Sequence, residues 1–157
     1  MLPALHVAGK LSSRGPINAI APGALLHVQD SKTGVYFLID TGAAFSVIPF
    51  TSSSPPTGPA LRGPNGVNIP CWGEAKVILN LDNRRFEWTF LRAAVDFAII
   101  GVDFLAGFDL LVDVAAGCLR DSSHGQVRCA RGPPALAAVH PSSFNQAPSP
   151  RQGLAKV

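Results

Sequence analysis

Glycine and proline cut every apolar run of this chain into short pieces. Fifteen glycines and fourteen prolines stand among its 157 residues, and the segments between them have the length of strands rather than of helices. With 47% hydrophobic and only 15% charged residues, the chain can still fill one core. The expectation is an all-β domain with appendages, not two full domains.

The runs can be placed in order. "ALLHVQD" (24–30) and "VYFLID" (35–40) read as strands joined by a turn in which Gly34 supplies positive φ, with Asp30 as a turn former. "FSVIPF" (45–50) is a third strand stopped by Pro49, and "TSSSPPTGP" (51–59) is a surface loop. "ALRGPNGVNIPCWG" (60–73) predicts a hairpin around Asn65-Gly66 whose weakly apolar arms would project from the domain. "EAKVILNL" (74–81) and "RRFEWTFL" (84–91) predict a second hairpin across Asp82-Asn83, and strict alternation puts Phe86, Trp88 and Phe90 on one face, to be read as core. A buried strand through Ile99 and Ile100 leads to Gly101, then to Asp103 as the N-cap of one short helix, "FLAGF". "LLVDV" (110–114), with Asp113 at its surface end, and "GCLRD" (117–121) complete the domain. The organisation expected is therefore a leader over 1–22 that can add one edge strand, a domain over 23–121, and a Pro-rich basic linker or disordered tail over 122–157.

Charge adds little to the functional reading. The formal net charge is +3, but Arg128, Arg131, Arg151 and Lys156 lie after residue 121 with no acid among them. Thirteen basic residues less these four leave nine against all ten acids, so the domain carries −1 and no nucleic-acid partner is expected. Cys71, Cys118 and Cys129 are odd in number and form no CxxC pair, which fits reduced thiols in an intracellular, cytoplasmic protein. The apolar start is interrupted by Pro3 and Gly9 and reads poorly as a signal peptide, and no run approaches the ~20 apolar residues of a membrane helix, so no membrane partner is expected. His6, His27, His124 and His140 form no ligand set, so neither metal nor other cofactor is expected, and Ser46 has no His or Asp at a spacing that suggests a triad.

One carboxylate stands out. In "FLIDTGAAFSVIPF" (37–50), Asp40 sits between two segments that read as core strands. Asp-Thr-Gly alone is a serviceable turn. Its weight comes from context: "AIIG" (98–101) follows about sixty residues later, with a projecting hairpin between them in an all-β setting.

At these residues the chain resembles the retropepsin-type aspartic proteases, and most of all those of gypsy-class LTR retrotransposons. The resemblance rests on "FLIDTGAAFSVIP" (37–49), "GPALRGPNGVNIPCWG" (58–73) and "AIIGVDFLAGFDLLVD" (98–113), and covers roughly residues 24–121. It implies a closed β-barrel of the acid-protease fold carrying half of an active site. Such enzymes use two carboxylates that share a proton and hold a water between them. A chain with one Asp-Thr-Gly would then be a homodimer, with Asp40 of each copy meeting on the two-fold axis and an extended peptide or polyprotein as substrate. Thr41 would bond its counterpart across the axis, Gly42 would let backbone approach substrate, Ala43 continues the pattern, and Ile99, Ile100 and Gly101 would support the loop. Gly63, Pro64, Asn65, Gly66, Val67, Asn68 and Ile69 would form a flap over the substrate. The implied activity is processing of a retrotransposon polyprotein, in the cytoplasm or in retrotransposon particles. Retroviral members carry an Asp and an Arg where this chain has Ala44 and Val102. Two other readings stand beside this one: a domesticated or decayed, catalytically inactive dimerisation module, and a cellular retropepsin-like protease of the DNA-damage-inducible or skin type.

Overall fold

The computed structural model describes residues 25–123 and 125–131. The leader expected over 1–22, with its edge strand, and residues 132–157 lie outside them. The described residues form twelve strands and one short helix: β1 (Leu26–Gln29), β2 (Tyr36–Ile39), β3 (Val47–Pro49), β4 (Leu61–Arg62), β5 (Asn68–Ile69), β6 (Cys71–Leu81), β7 (Arg84–Ala93), β8 (Ala98–Ile100), α1 (Val102–Gly107), β9 (Leu110–Asp113), β10 (Cys118–Asp121), β11 (Gln126–Arg128) and β12 (Ala130–Arg131). The mostly β class with one short helix is the observed architecture.

The long β6–β7 hairpin turns at Asp82 and Asn83, both with positive φ (44° and 65°). Two such residues make the tight turn whose twist matches the flanking strands, and Asp and Asn tolerate that conformation best after glycine. Along β7, Phe86 and Phe90 are buried and Trp88 is half-buried on the same face. All three pack on Phe104 of α1, with ring centroids 5.7, 6.0 and 6.3 Å away for Phe86, Trp88 and Phe90. The aromatic stripe is core, as its alternation implied. Around it lie Val28, Phe37, Leu79, Ile100, Leu119 and Val127.

Seven strands form one sheet in the order β12-β1-β2-β8-β3-β7-β6. It does not close into a barrel among the described residues: β12 and β6 remain its two edges. The expected closure is replaced by a turn. The Asp30 carboxylate accepts the Asn80 N–H at 2.8 Å while the Ser31 N–H donates to the Asn80 carbonyl at 2.8 Å, so two groups on the outer edge of β6 are satisfied without a neighbouring strand. Asp30 is thus more than a turn former. It also takes the Thr33 N–H and hydroxyl and is buried to 1% exposure.

The domain boundary expected after Asp121 falls too early. β11 pairs with β10, β12 pairs with β1, and Val127 is buried at 1% exposure. The segment escaped notice because one apolar side chain between Gln126 and Arg128 is too weak a pattern to read as a strand, whereas an open backbone edge on β1 is enough to recruit one.

Candidate active site

Asp40 follows directly on β2, and β8 explains its position. β8 runs parallel to β2, with Leu38 opposite Ile99 and Ile39 opposite Ile100, and antiparallel to β3, with Val47 opposite Ile99. The two strands flanking the Asp40 loop therefore clasp the same third strand. Backbone bonds extend the clasp into the loop: the Asp40 N–H donates to the Ile100 carbonyl at 3.0 Å, and the Val102 N–H to the Ala43 carbonyl at 2.8 Å.

Within the loop, Gly42 donates its N–H to Asp40 Oδ1 at 2.8 Å, which fixes the carboxylate rotamer. Gly101 is required by space. A Cβ there would lie 2.7 Å from the Phe45 carbonyl carbon and oxygen and 2.8 Å from the Ala43 oxygen, and all three contacts are to backbone of the Asp40 loop. Ile100 is fully buried beneath, and Ile99 is half-buried at the wall of the cleft. Ile99, Ile100 and Gly101 thus stand against the loop. Thr41 is exposed.

Three further residues brace the loop and were assigned otherwise from sequence. Ser46, fully buried, accepts the Gly101 N–H at 3.0 Å and donates its hydroxyl to Asp103 Oδ1 at 2.7 Å. Trp88 Nε1–H donates to Asp103 Oδ2 at 3.1 Å. Asp103 is therefore not the helix cap: Gly101 holds the N-cap position of α1, without a side-chain bond, and Asp103 lies in the first turn with both oxygens turned to Ser46 and Trp88. Ser46 does have an aspartate partner, 57 positions away. A buried hydroxyl spanning an amide and a carboxylate is a strut, not a nucleophile.

The expected flap is a small separate sheet. β4 and β5 pair through Leu61 with Ile69 and Arg62 with Asn68. The Gly66 N–H donates to the Gly63 carbonyl and the Gly63 N–H to the Val67 carbonyl, each at 2.9 Å, with Gly66 at φ +77°. The turn proper is Pro64-Asn65, followed by a left-handed glycine, the three-residue form of hairpin loop. Beneath it, Leu61 packs on Val47, Cys71, Leu91 and Ala93 and anchors the hairpin to the domain.

Between the hairpin and the Asp40 loop lies a cleft of about 510 Å³. Asp40, Gly42, Ala43, Ala44 and Phe45 line one side; Ala60 to Pro64 and Ile69 line the other; Val47, Val95 and Ile99 close its back. Of the expected flap residues, Gly63, Pro64 and Ile69 face this space, whereas Asn65, Gly66, Val67 and Asn68 do not line it and Val67 is exposed. Phe45 also lines a neighbouring cavity of about 430 Å³ with Glu74, Trp88 and Asp103. Sequence reasoning missed Phe45, Arg62 and Val95 as cleft residues, since nothing in their local pattern separates a cleft wall from any surface position.

Among the described residues, Asp40 is the one carboxylate that lines the cleft. Among the described residues no group of three or more His, Cys, Asp or Glu side chains is placed to hold a metal ion, and no helix is long and apolar enough to cross a membrane. The arrangement can supply a single oriented carboxylate above a mostly apolar trough. Acid–base hydrolysis by carboxylates alone needs two.

No protein-family model matches the chain, and no curated protein does. Among solved structures it is similar to the EIAV protease complexed with the inhibitor HBY-793, at 22% identity and a TM-score of 0.43, covering 56% of this chain and 89% of that one. It is also similar to the retroviral protease-like domain of Ddi1 from Leishmania major, at 18% identity and a TM-score of 0.48, covering 69% of this chain and 94% of that one.

Proposed function

We propose that this chain is one half of a retropepsin-type aspartic endopeptidase. The reading rests on one observation: the Asp-Thr-Gly loop is clasped by β8 at the floor of a cleft roofed by a hairpin, and that cleft contains one carboxylate where the chemistry needs two. A second copy related by a two-fold axis supplies the missing Asp40 with no further sequence requirement. In that dimer one carboxylate, ionised, takes a proton from water as the water attacks the scissile carbonyl; the other, protonated, donates to the carbonyl oxygen. Two such groups about 3 Å apart cannot both ionise, so they titrate as a pair and work on the acidic side of neutrality. The substrate would lie extended between the hairpin and the loop, pairing by backbone. The sequence resemblance extends the proposal to a gypsy-class retrotransposon origin, with the element's own polyprotein as substrate inside the cell.

The test is cleavage of an apolar peptide library by wild type beside Asp40→Asn, with and without a statine-type inhibitor. Inhibitor-sensitive cleavage that Asp40→Asn abolishes is expected. A dimer of wild-type protein that binds peptide yet never cleaves it would establish the inactive module instead.

A further inference from the structure

The cleft holds a second charge that the hydrolysis does not use. Among the described residues Arg62 is, apart from Asp40, the only ionisable side chain lining it; Ala44, Phe45, Val47, Leu61, Val95 and Ile99 around it are apolar. Leu61 packs into the apolar cluster under the hairpin, and strand alternation leaves Arg62, its neighbour on β4, exposed. Register fixes it further, since Arg62 pairs with Asn68 across the two-residue ladder.

Its lack of partners is as telling as its place. Elsewhere among the described residues Arg84 pairs with Asp121, Arg85 with Glu87 and Arg120 with Asp113, while Arg92 donates to the Trp72 carbonyl and Arg131 to the Val114 and Ala115 carbonyls. Only Arg62 and Arg128 have no such partner for the guanidinium, and Arg128 does not line the cleft. A fork of five donors beside an apolar trough matches a carboxylate brought in from outside.

We propose that Arg62 is a specificity-determining residue that recognises an acidic side chain of the bound peptide. This rests on the peptidase reading in that the ligand is an extended peptide. The two copies in the dimer would present one such arginine each. Attraction falls on a glutamate or aspartate of the peptide, and a lysine at the same peptide position is repelled.

The test separates recognition from cleavage. Full-length Asp40→Asn protein is titrated at low salt with a labelled apolar octapeptide carrying Glu, Gln or Lys at each position in turn, with binding read by fluorescence anisotropy. At one position or more the Glu peptide is expected to bind about tenfold more tightly than its Gln counterpart, the equivalent of one charge-assisted contact of ~1.4 kcal/mol. That ratio should shrink with added salt, fall to about one in Asp40→Asn/Arg62→Gln, and reverse in favour of Lys in Asp40→Asn/Arg62→Glu. Equal binding of Glu and Gln peptides at every position, a Glu preference that survives Arg62→Gln, or no peptide binding at all would overturn the assignment. Wild type that shows the preference without cleaving leaves Arg62 standing and sinks the peptidase reading; cleavage without the preference does the reverse.

Discussion

Ser46 donates its hydroxyl to Asp103 at 2.7 Å across 57 positions of chain, inside the protein and directly behind the Asp40 loop. Because the same oxygen accepts the Gly101 N–H, one small side chain ties the second strand of the clasp to the start of α1. The first prediction is that Ser46→Ala leaves that buried amide, and one oxygen of the half-buried Asp103 carboxylate, without their partner. Urea unfolding should show a loss of about 2 kcal/mol, the cost of stranding a buried polar group. An unchanged midpoint would mean that water replaces the hydroxyl.

Trp88 and Asp103 should be energetically coupled. Asp103→Asn turns an amide donor towards either Ser46 or the Trp88 indole N–H, both of which already donate. A double-mutant cycle with Trp88→Phe is expected to return a coupling of about 1 kcal/mol, whereas additive effects would show the indole contact to be incidental.

Two glycines should answer differently to alanine. At Gly101 the new methyl would meet loop backbone at 2.7 Å, so Gly101→Ala must move the Asp40 loop and should abolish peptide cleavage along with ~1–3 kcal/mol of stability. At Gly66 nothing lies within 4 Å of the added Cβ, and only the left-handed backbone resists, at a cost of ~1–2 kcal/mol. Activity at saturating peptide should survive Gly66→Ala; its loss would show that the hairpin tip takes part in chemistry.

Acid should destabilise the fold in two steps. Burial lowers the His27 imidazole below its ordinary 6.5, so its contribution is intact above that pH and is lost as pH falls through the folded value. For Asp30, burial alone would raise the carboxyl, but bonds from the Thr33 hydroxyl and from the backbone and side chain of Asn80 outweigh it and hold it below 3.8. Its contribution persists above 3.8 and disappears as pH falls through its lower folded value. As pH is lowered from neutral, denaturant midpoints should therefore decline first through the histidine range and again in strong acid. His27→Gln should remove the first decline and leave the second.

Local chemistry made part of this legible. The Asp82-Asn83 turn, the β6–β7 aromatic face, and the Asp40 loop with Ile99 to Gly101 all follow from residues close in sequence or from a motif of fixed composition. The strut of Ser46, Asp103 and Trp88 was not legible, because an aspartate near a helix start has an obvious local use, and its actual partners lie 57 and 15 positions away. The last strands were hidden for another reason: β12 is held by backbone pairing to β1, which needs no particular side chain.

β8 also imposes an order of events. Of the strands around Asp40, β2 and β3 emerge early during synthesis, but what holds them together is a segment that arrives about sixty residues later. Contacts of such sequence separation form late and slowly. A chain cut short before residue 98 would carry the whole Asp-Thr-Gly motif with no clasp to shape it, and the carboxylate would stay unaimed until the ribosome had passed the segment that completes the loop.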